Sequence, residues 1–137
     1  MLRQRLIVLA ITPVAALLAG CVEPEEGLTL TADDHGSAVT VSIAECFIVS
    51  LRSNATTGYA WQIAEMDPVI LENTGQEYVQ DIAPPGMAGV GGTENWEFVG
   101  RVAGSSTLRL EYRRSWEPED IEPAETFQVD VTVVAAE

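Results

Sequence analysis

The stretch Phe127-Gln128-Val129-Asp130-Val131-Thr132-Val133 alternates apolar and polar residues without a break. Successive side chains of a β-strand point to opposite faces, so the alternation predicts a strand with its apolar side chains in a core and its polar ones in water. Six other stretches have the same period of two. Their apolar positions are Leu28 and Leu30; Val39, Val41 and Ile43; Phe47, Val49 and Leu51; Tyr59, Trp61 and Ile63; Trp96 and Phe98; Leu108, Leu110 and Tyr112.

Turn-forming residues separate these stretches, as expected between short strands. Four such clusters are Asp34-His35-Gly36, Asn73-Thr74-Gly75, Pro84-Pro85-Gly86 and Ala103-Gly104-Ser105. No segment has a sustained helical period, although residues 64–71 could form one helical turn. About seven short strands in one domain predict an all-β fold, an immunoglobulin-like antiparallel β-sandwich.

The first twenty residues are typical of an export signal rather than of a folded domain. Arg3 and Arg5 supply positive charge, and residues 6–18 form an apolar segment that is short for a membrane span, which needs about 20 residues. The closing Leu18-Ala19-Gly20-Cys21 resembles a bacterial lipobox, in which Cys21 becomes the lipid-modified N-terminus after cleavage. An ordinary signal peptide that happens to precede a cysteine is the alternative.

The sequence therefore predicts three parts. Residues 1–20 are the lipoprotein signal peptide, residues 21–27 hold the lipidated cysteine and a short acidic tether, and residues 28–137 form one β-sandwich domain. The fully extended tether spans only about 20 Å. We therefore expect the domain to lie close to a membrane of the cell envelope, anchored by lipid on the periplasmic side or at the cell surface.

The charge of the chain is strongly negative. Asp and Glu number 21 against 7 Lys and Arg, the formal net charge is -14, and lysine is absent. Binding to nucleic acid requires a basic footprint, so the charge excludes nucleic acid as a partner. The acidity is otherwise typical of a soluble surface.

Few residues are available for catalysis or metal binding. The one histidine, His35, lies in a predicted turn, so a cysteine nucleophile would lack a base, and the absence of lysine excludes Ser–Lys chemistry. The acids of residues 117–122 lack the spacing of an EF-hand and indicate a solvated loop. No pattern singles out a pair of carboxylates for glycoside cleavage. We predict a protein that is not an enzyme and that needs no metal or cofactor.

Cys46 is the second of the two cysteines. If Cys21 carries lipid, Cys46 has no partner within the chain and no disulfide framework exists. We therefore expect Cys46 to be a small buried hydrophobe at the start of a strand.

Three predicted loops differ from ordinary connections. The threonine loop, Ser53-Asn54-Ala55-Thr56-Thr57-Gly58-Tyr59, has hydroxyl groups that can fix its backbone, and Gly58 permits a positive φ. The glycine loop, residues 84–92, is rich in glycine, so its main chain can approach another surface closely. The tryptophan loop, residues 113–118, presents Trp116 beside arginine, and both residue types are enriched at binding hot spots.

Each loop alone has an ordinary explanation as a common turn, a flexible hairpin or a core tryptophan at a strand end. Together and in this order, they resemble the chagasin-like inhibitors of papain-type cysteine peptidases. That family carries N-P-T-T-G-[YF], G-x-G-G and R-P-W on loops at one end of an immunoglobulin-like fold. The matching segments are Asn54-Ala55-Thr56-Thr57-Gly58-Tyr59, Gly89-Val90-Gly91-Gly92 and Arg114-Ser115-Trp116, and the resemblance covers approximately residues 28–135.

The resemblance implies reversible blocking of a peptidase cleft without a covalent step. Residues 56–58 would lie against the catalytic cysteine–histidine pair, and residues 89–92 would follow the non-primed cleft through main-chain hydrogen bonds. Trp116 would pack on the other flank with support from Arg114. The inhibitor residues so implied are Asn54, Thr56, Thr57, Gly58, Tyr59, Gly89, Val90, Gly91, Gly92, Arg114 and Trp116.

Two residues depart from the family pattern. Ala55 and Ser115 stand where the family has proline, so two φ angles are free that proline would fix. Ordering one such residue on binding costs about 1–2 kcal/mol, so we expect both loops to be less ordered and inhibition to be weaker.

A second interpretation is a non-inhibitory, lipid-anchored β-sandwich module for assembly or adhesion. It accounts for the lipobox, the acidity and the strand pattern, and in both interpretations we expect a monomer. It gives no reason, however, for Trp116 and the threonine loop to lie beside a glycine-rich strip.

Overall fold

The computed structural model of the protein describes residues 28–136. The predicted signal peptide, the lipid on Cys21 and the acidic tether lie outside the described residues. Among those described, no helix is long and apolar enough to cross a membrane.

The described chain folds into eight β-strands and two short 3-10 helices. The strands are β1 Leu28–Leu30, β2 Ala38–Ser42, β3 Cys46–Ser53, β4 Tyr59–Glu65, β5 Leu71–Gln80, β6 Gly92–Gly100, β7 Gly104–Arg114 and β8 Glu125–Val134. The 3-10 helices are Ala32–Asp34, between β1 and β2, and Ala55–Thr57, between β3 and β4.

The strands form two four-stranded sheets, with orders β1-β3-β6-β5 and β2-β8-β7-β4. The predicted all-β sandwich is confirmed, with eight strands in place of about seven. The short strands β1 and β2 pair in parallel with β3 and β8, and the other neighbours are antiparallel. Chain reversals at the ends of β3, β4, β5, β6 and β7 therefore bring distant loops to common ends of the sandwich.

The core follows the period-two pattern closely. In β8, the apolar side chains of Phe127, Val129, Val131 and Val133 are each at most 1% exposed, whereas Asp130 between them is exposed. Burying a side chain of this kind stabilises the fold by about 1.5–3 kcal/mol. Apolar residues of both sheets meet these side chains in one continuous core.

The predicted turn at Asn73-Thr74-Gly75 is wrong, because these residues lie inside the edge strand β5. The register with β6 shifts between Asn73 and Gly75, as in a β-bulge. Asn73 Nδ2 donates to the carbonyl oxygens of Gly75, at 3.0 Å, and Glu97, at 2.9 Å. The asparagine side chain thus closes the bulge, so residues typical of a turn are accommodated within a strand. The one helical turn expected nearby forms at residues 67–71, where Ile70 N and Leu71 N both donate to Asp67 O.

Cys46 is 4% exposed, which confirms that it is buried. Its sulfur is disulfide-bonded, so the expectation of an unpaired thiol is wrong. The chain has one other cysteine, Cys21, which lies outside the described residues.

Candidate functional site

The three loops singled out by the sequence connect strands at the same end of the sandwich. β3 ends at Ser53, which pairs with Gly92 at the start of β6. β4 begins at Tyr59, which pairs with Arg114 at the end of β7. The threonine loop therefore crosses from one sheet to the other, with the glycine loop on one side and the tryptophan loop on the other.

The threonine loop is a single 3-10 turn closed by its own side chains. Asn54 caps the turn: its Oδ1 accepts from Thr56 N at 3.0 Å and from Thr56 Oγ1 at 2.6 Å. Thr57 Oγ1 donates to Asn54 O at 2.7 Å. Gly58 ends the turn with φ 84°, a left-handed conformation that glycine adopts without strain. The side chains of Thr56 and Thr57 remain exposed at the tip.

Two tyrosines attach this turn to the sandwich. Asn54 N donates to the hydroxyl of Tyr112 at 2.9 Å, and Ala55 N donates to the hydroxyl of Tyr78 at 3.4 Å. The second bond uses an N–H group that proline at position 55 would not have. Hydrogen bonds thus constrain the loop where the family pattern has a proline ring.

The tryptophan loop covers the other side of the same turn. Arg114 Nε donates to Thr57 O at 3.2 Å. The guanidinium carbon of Arg114 lies 4.4 Å from the ring centroid of Tyr59 and 5.8 Å from that of Trp116, distances at which cation–π attraction operates. The ring of Trp116 lies directly over Gly58, because a Cβ added to that glycine would be 2.2 Å from Cη2 of Trp116. Trp116 itself is 68% exposed.

The glycine loop meets the threonine loop through one side chain. Asn54 Nδ2 donates to Gly89 O at 3.1 Å. Gly86 and Gly89 have φ of 84° and 71°, with nothing within 4 Å of an added Cβ. Gly92 is different: it is buried, and an added Cβ would lie 2.4 Å from Val79 O. The fold itself therefore requires Gly92, whereas Gly86 and Gly89 serve the shape of an exposed loop.

Exposed charges flank the base of the glycine loop. Arg52 Nη2 lies 2.6 Å from Asp81 Oδ2, and Arg52 Nη1 donates to Asp81 Oδ1 at 3.2 Å. The hydrogen bond from the guanidinium lowers the pKa of the Asp81 carboxyl and raises the pKa of Arg52. Sequence reasoning did not identify this pair, whose members are far apart in the chain.

Glu94 is a second residue that sequence reasoning missed. It is 3% exposed and lies beneath the threonine loop, where its carboxylate accepts hydrogen bonds from four different residues. A signal existed, because Glu94 has the same parity in its strand as the predicted core residues Trp96 and Phe98.

The described residues contain no group of three or more His, Cys, Asp or Glu side chains arranged to hold a metal ion. The geometry of this end of the sandwich consists of main-chain groups, hydroxyls and one exposed indole. Such a surface can bind another protein through shape and hydrogen bonds.

Comparisons with known proteins agree on one family. Residues 40–131 match the chagasin family of peptidase inhibitors, family I42. Amoebiasin-1 of Entamoeba histolytica is 34% identical over 104 residues, covering 76% of this chain and 99% of that protein. Chagasin of Trypanosoma cruzi is 32% identical over 90 residues, covering 64% of this chain and 81% of that protein.

A solved structure shares the architecture. The crystal structure of the cysteine protease inhibitor EhICP2 from Entamoeba histolytica superposes with a TM-score of 0.69 and 25% identity, covering 77% of this chain and 94% of that chain. Because the matching family consists of peptidase inhibitors, the prediction that the chain is not an enzyme is confirmed. The chain belongs to the chagasin family of peptidase inhibitors.

Proposed function

We propose that the chain is a reversible inhibitor of papain-like cysteine peptidases that blocks the active-site cleft with its three loops. One observation carries the proposal: Asn54 bonds to the glycine loop, and Arg114 bonds to the threonine loop, so three separate motifs form one edge. Relatives described as inhibitors of cysteine proteases support the choice of peptidase class.

The tip of the threonine loop has the properties of a wedge that is not a substrate. Ala55, Thr56 and Thr57 have small side chains that fit a narrow cleft and are exposed. The backbone carbonyls of Asn54, Ala55 and Thr57 already accept hydrogen bonds within the protein. A peptide bond held in this turn is not extended along a cleft, so binding would occlude the catalytic pair without cleavage.

The scaffold lowers the entropy lost on docking. The threonine loop is held by two tyrosines and by Arg114 before any partner arrives. Side chains and loops that are already ordered make association less costly by about 0.5–1.5 kcal/mol per immobilised side chain. The flanking loops would then add main-chain hydrogen bonds on one side and the Trp116 indole on the other.

Inhibition is tested with active papain and a soluble form of residues 21–137, which keeps both cysteines. We expect hydrolysis of a fluorogenic peptide to slow reversibly at micromolar protein or below, while trypsin, a serine peptidase, is unaffected. Unchanged papain activity at micromolar protein would contradict the proposal and favour a non-inhibitory module for assembly or adhesion.

We also propose that Cys21 carries lipid and anchors the domain in the cell envelope. The proposal is supported by the order of charged, apolar and lipobox residues at the N-terminus. Cys21→Ser should move the protein from the membrane fraction to the soluble fraction, and its persistence in the membrane would contradict lipid anchoring.

The lipid-anchored protein would be a different form from the one in the structure, where the Cys46 sulfur is disulfide-bonded. Cys21 is the one other cysteine of the chain, so an intramolecular disulfide with Cys46 and a lipid thioether on Cys21 are mutually exclusive. The intact mass of protein extracted from membranes, measured with and without reduction, distinguishes the two forms.

A further inference from the structure

Glu94 is a buried carboxylate without a cationic partner among the described residues. It lies on β6, two residues after Gly92, and is 3% exposed. The six salt bridges within residues 28–136 do not include it. A charge in such a place is costly unless hydrogen bonds satisfy it.

Four donors satisfy the carboxylate. Oε2 accepts from Ser53 Oγ at 2.7 Å and from Trp61 N at 3.2 Å. Oε1 accepts from Gln76 Nε2 at 3.3 Å and from Trp96 Nε1 at 3.2 Å. Hydrogen bonds to a charged acceptor are roughly twice as strong as neutral ones, so the carboxylate holds these groups firmly.

The first two donors lie on the two stems of the threonine loop, which are strand β3 before the loop and strand β4 after it. Ser53 is the last residue of β3 in one sheet, and Trp61 is the third residue of β4 in the other sheet. No backbone ladder joins β3 to β4, but Trp61 Nε1 donates to Arg52 O at 2.9 Å, and Glu94 Oε2 adds a second link between the stems. The distance between the stems sets where the exposed turn lies.

We propose that Glu94 is a positioning residue for inhibition, an inference that rests on the function proposed above. Its carboxylate fixes the separation of Ser53 and Trp61, and through them it holds Thr56 and Thr57 at the position that enters the cleft. Glu94 does not touch the peptidase itself, because it is buried.

Glu94→Gln preserves the shape and removes part of the acceptor capacity. The new amide nitrogen faces either Ser53 and Trp61 or Gln76 and Trp96. The Ser53 hydroxyl and the Gln76 amide can turn to accept, whereas the N–H groups of Trp61 and Trp96 can only donate. One N–H group, either the buried one of Trp61 or the part-buried one of Trp96, therefore loses its acceptor in either orientation.

Ser106→Ala is the matched control. Ser106 is also buried, at 6% exposure, and its Oγ accepts from Asp67 N at 2.9 Å. It lies near the start of β7, and that strand reaches the inhibitory loops only at its other end. Both variants remove the acceptor of an N–H group that is at least part-buried or bonded to a buried side chain, but only Glu94→Gln does so beneath the threonine loop.

The experiment measures the inhibition constant for papain and the melting temperature of both variants. We expect Glu94→Gln to raise the inhibition constant about tenfold and Ser106→Ala to leave it within about twofold, with similar losses of melting temperature. Equal inhibition constants for Glu94→Gln and the unmodified domain, measured well below both melting temperatures, would overturn the proposal. If Glu94→Gln does not fold, Ser53→Ala removes one donor at the same stem and is judged by the same comparison.

A second readout needs no peptidase. Amide hydrogen exchange at Thr57 and Gly58, whose N–H groups donate to Asn54 O and Ala55 O, reports the order of the turn in the free domain. Glu94→Gln should accelerate this exchange, and Ser106→Ala should not. If the unmodified domain does not inhibit papain but Glu94→Gln still accelerates exchange, the proposed function is refuted and the positioning role stands. Unchanged exchange in Glu94→Gln would refute the positioning role.

Discussion

The threonine loop and the glycine loop lie side by side, yet they are held in different ways. In the threonine loop, Asn54 and Thr57 close the turn from within, and Tyr112 and Arg114 hold it from outside. The glycine loop has a few widely spaced bonds, such as Met87 N to Pro84 O at 3.3 Å and Asn54 to Gly89. Hydrogen bonds constrain the threonine loop at nearly every residue, whereas they constrain the glycine loop at a few residues.

The two loops also differ in how much apolar surface they expose. Ile82 and Met87, next to or within the glycine loop, are 102% and 59% exposed, whereas the threonine tip exposes small polar side chains. A constrained threonine loop would suit a catalytic pair that has the same geometry in every papain-like peptidase. A less constrained glycine loop would suit cleft walls that differ from one peptidase to another. Under the proposed function, the threonine loop would therefore set the position of the inhibitor in the cleft, and the glycine loop would adapt to the cleft wall.

Gly58→Ala should have the largest effect on inhibition. A left-handed alanine costs about 1–2 kcal/mol, and its Cβ, 2.2 Å from Trp116, would also displace the indole. We expect the inhibition constant for papain to rise about a hundredfold, since displacing a hot-spot residue costs about 2 kcal/mol more. Gly86→Ala has the same φ with open space around it and serves as the control in the glycine loop. Equal increases in the inhibition constant for Gly58→Ala and Gly86→Ala would contradict the distinction drawn between the two loops.

Trp116→Ala should raise the inhibition constant at least about tenfold, since truncating such a residue costs about 2 kcal/mol or more. The melting temperature should hardly change, because the side chain is 68% exposed. Val69→Ala, at a residue 63% exposed at the opposite end of the sandwich, should change neither quantity. An unchanged inhibition constant for Trp116→Ala would remove the indole from the contact surface.

Ala55→Pro should strengthen inhibition. Position 55 is the first of a 3-10 turn, where proline fits, and Asn54 is already extended, with φ -144° and a ψ of 101° that lies about 20° below the range preferred before proline. The loss of conformational freedom in the unfolded chain stabilises the loop by about 0.4–1 kcal/mol, against the loss of a 3.4 Å bond to Tyr78. We expect the inhibition constant to fall about two- to fivefold. Tyr78→Phe removes the same bond alone, and a weaker inhibitor in both variants would show that this bond is essential.

Asp81→Asn should have the smallest effect. Arg52 lowers the pKa of Asp81 in the folded domain, so the stabilising contribution is present above the usual value of 3.8 and is lost as pH falls through the lower folded-state pKa. Near neutral pH, we expect a small loss of melting temperature that shrinks at high salt and disappears in acid, with inhibition within about twofold. A difference between variant and parent that persists below the folded-state pKa would show that the ion pair is not its cause.

Local pattern predicted most of the scaffold. The parity of residues such as Val129 and Leu110 placed them in the core, because a strand buries alternate side chains wherever its partners lie. Strand β5 was harder to predict, since its Asn73-Thr74-Gly75 segment has the composition of a turn. Only pairing with β6 converts that segment into a bulge. The role of Glu94 was not predicted for a similar reason, because the four residues that donate to its carboxylate lie in four strands.

By itself, the sequence determined the strand pattern, the acidic charge and the three motifs that indicate the inhibitor family. These features depend on neighbouring residues, which are visible in a linear chain. Tertiary structure decided that Arg114 bonds to Thr57, 57 positions away, and that Glu94 meets Ser53, 41 positions away. The physical reason is that hydrogen bonds act over about 3 Å, so only packing of the two sheets can bring such distant groups together.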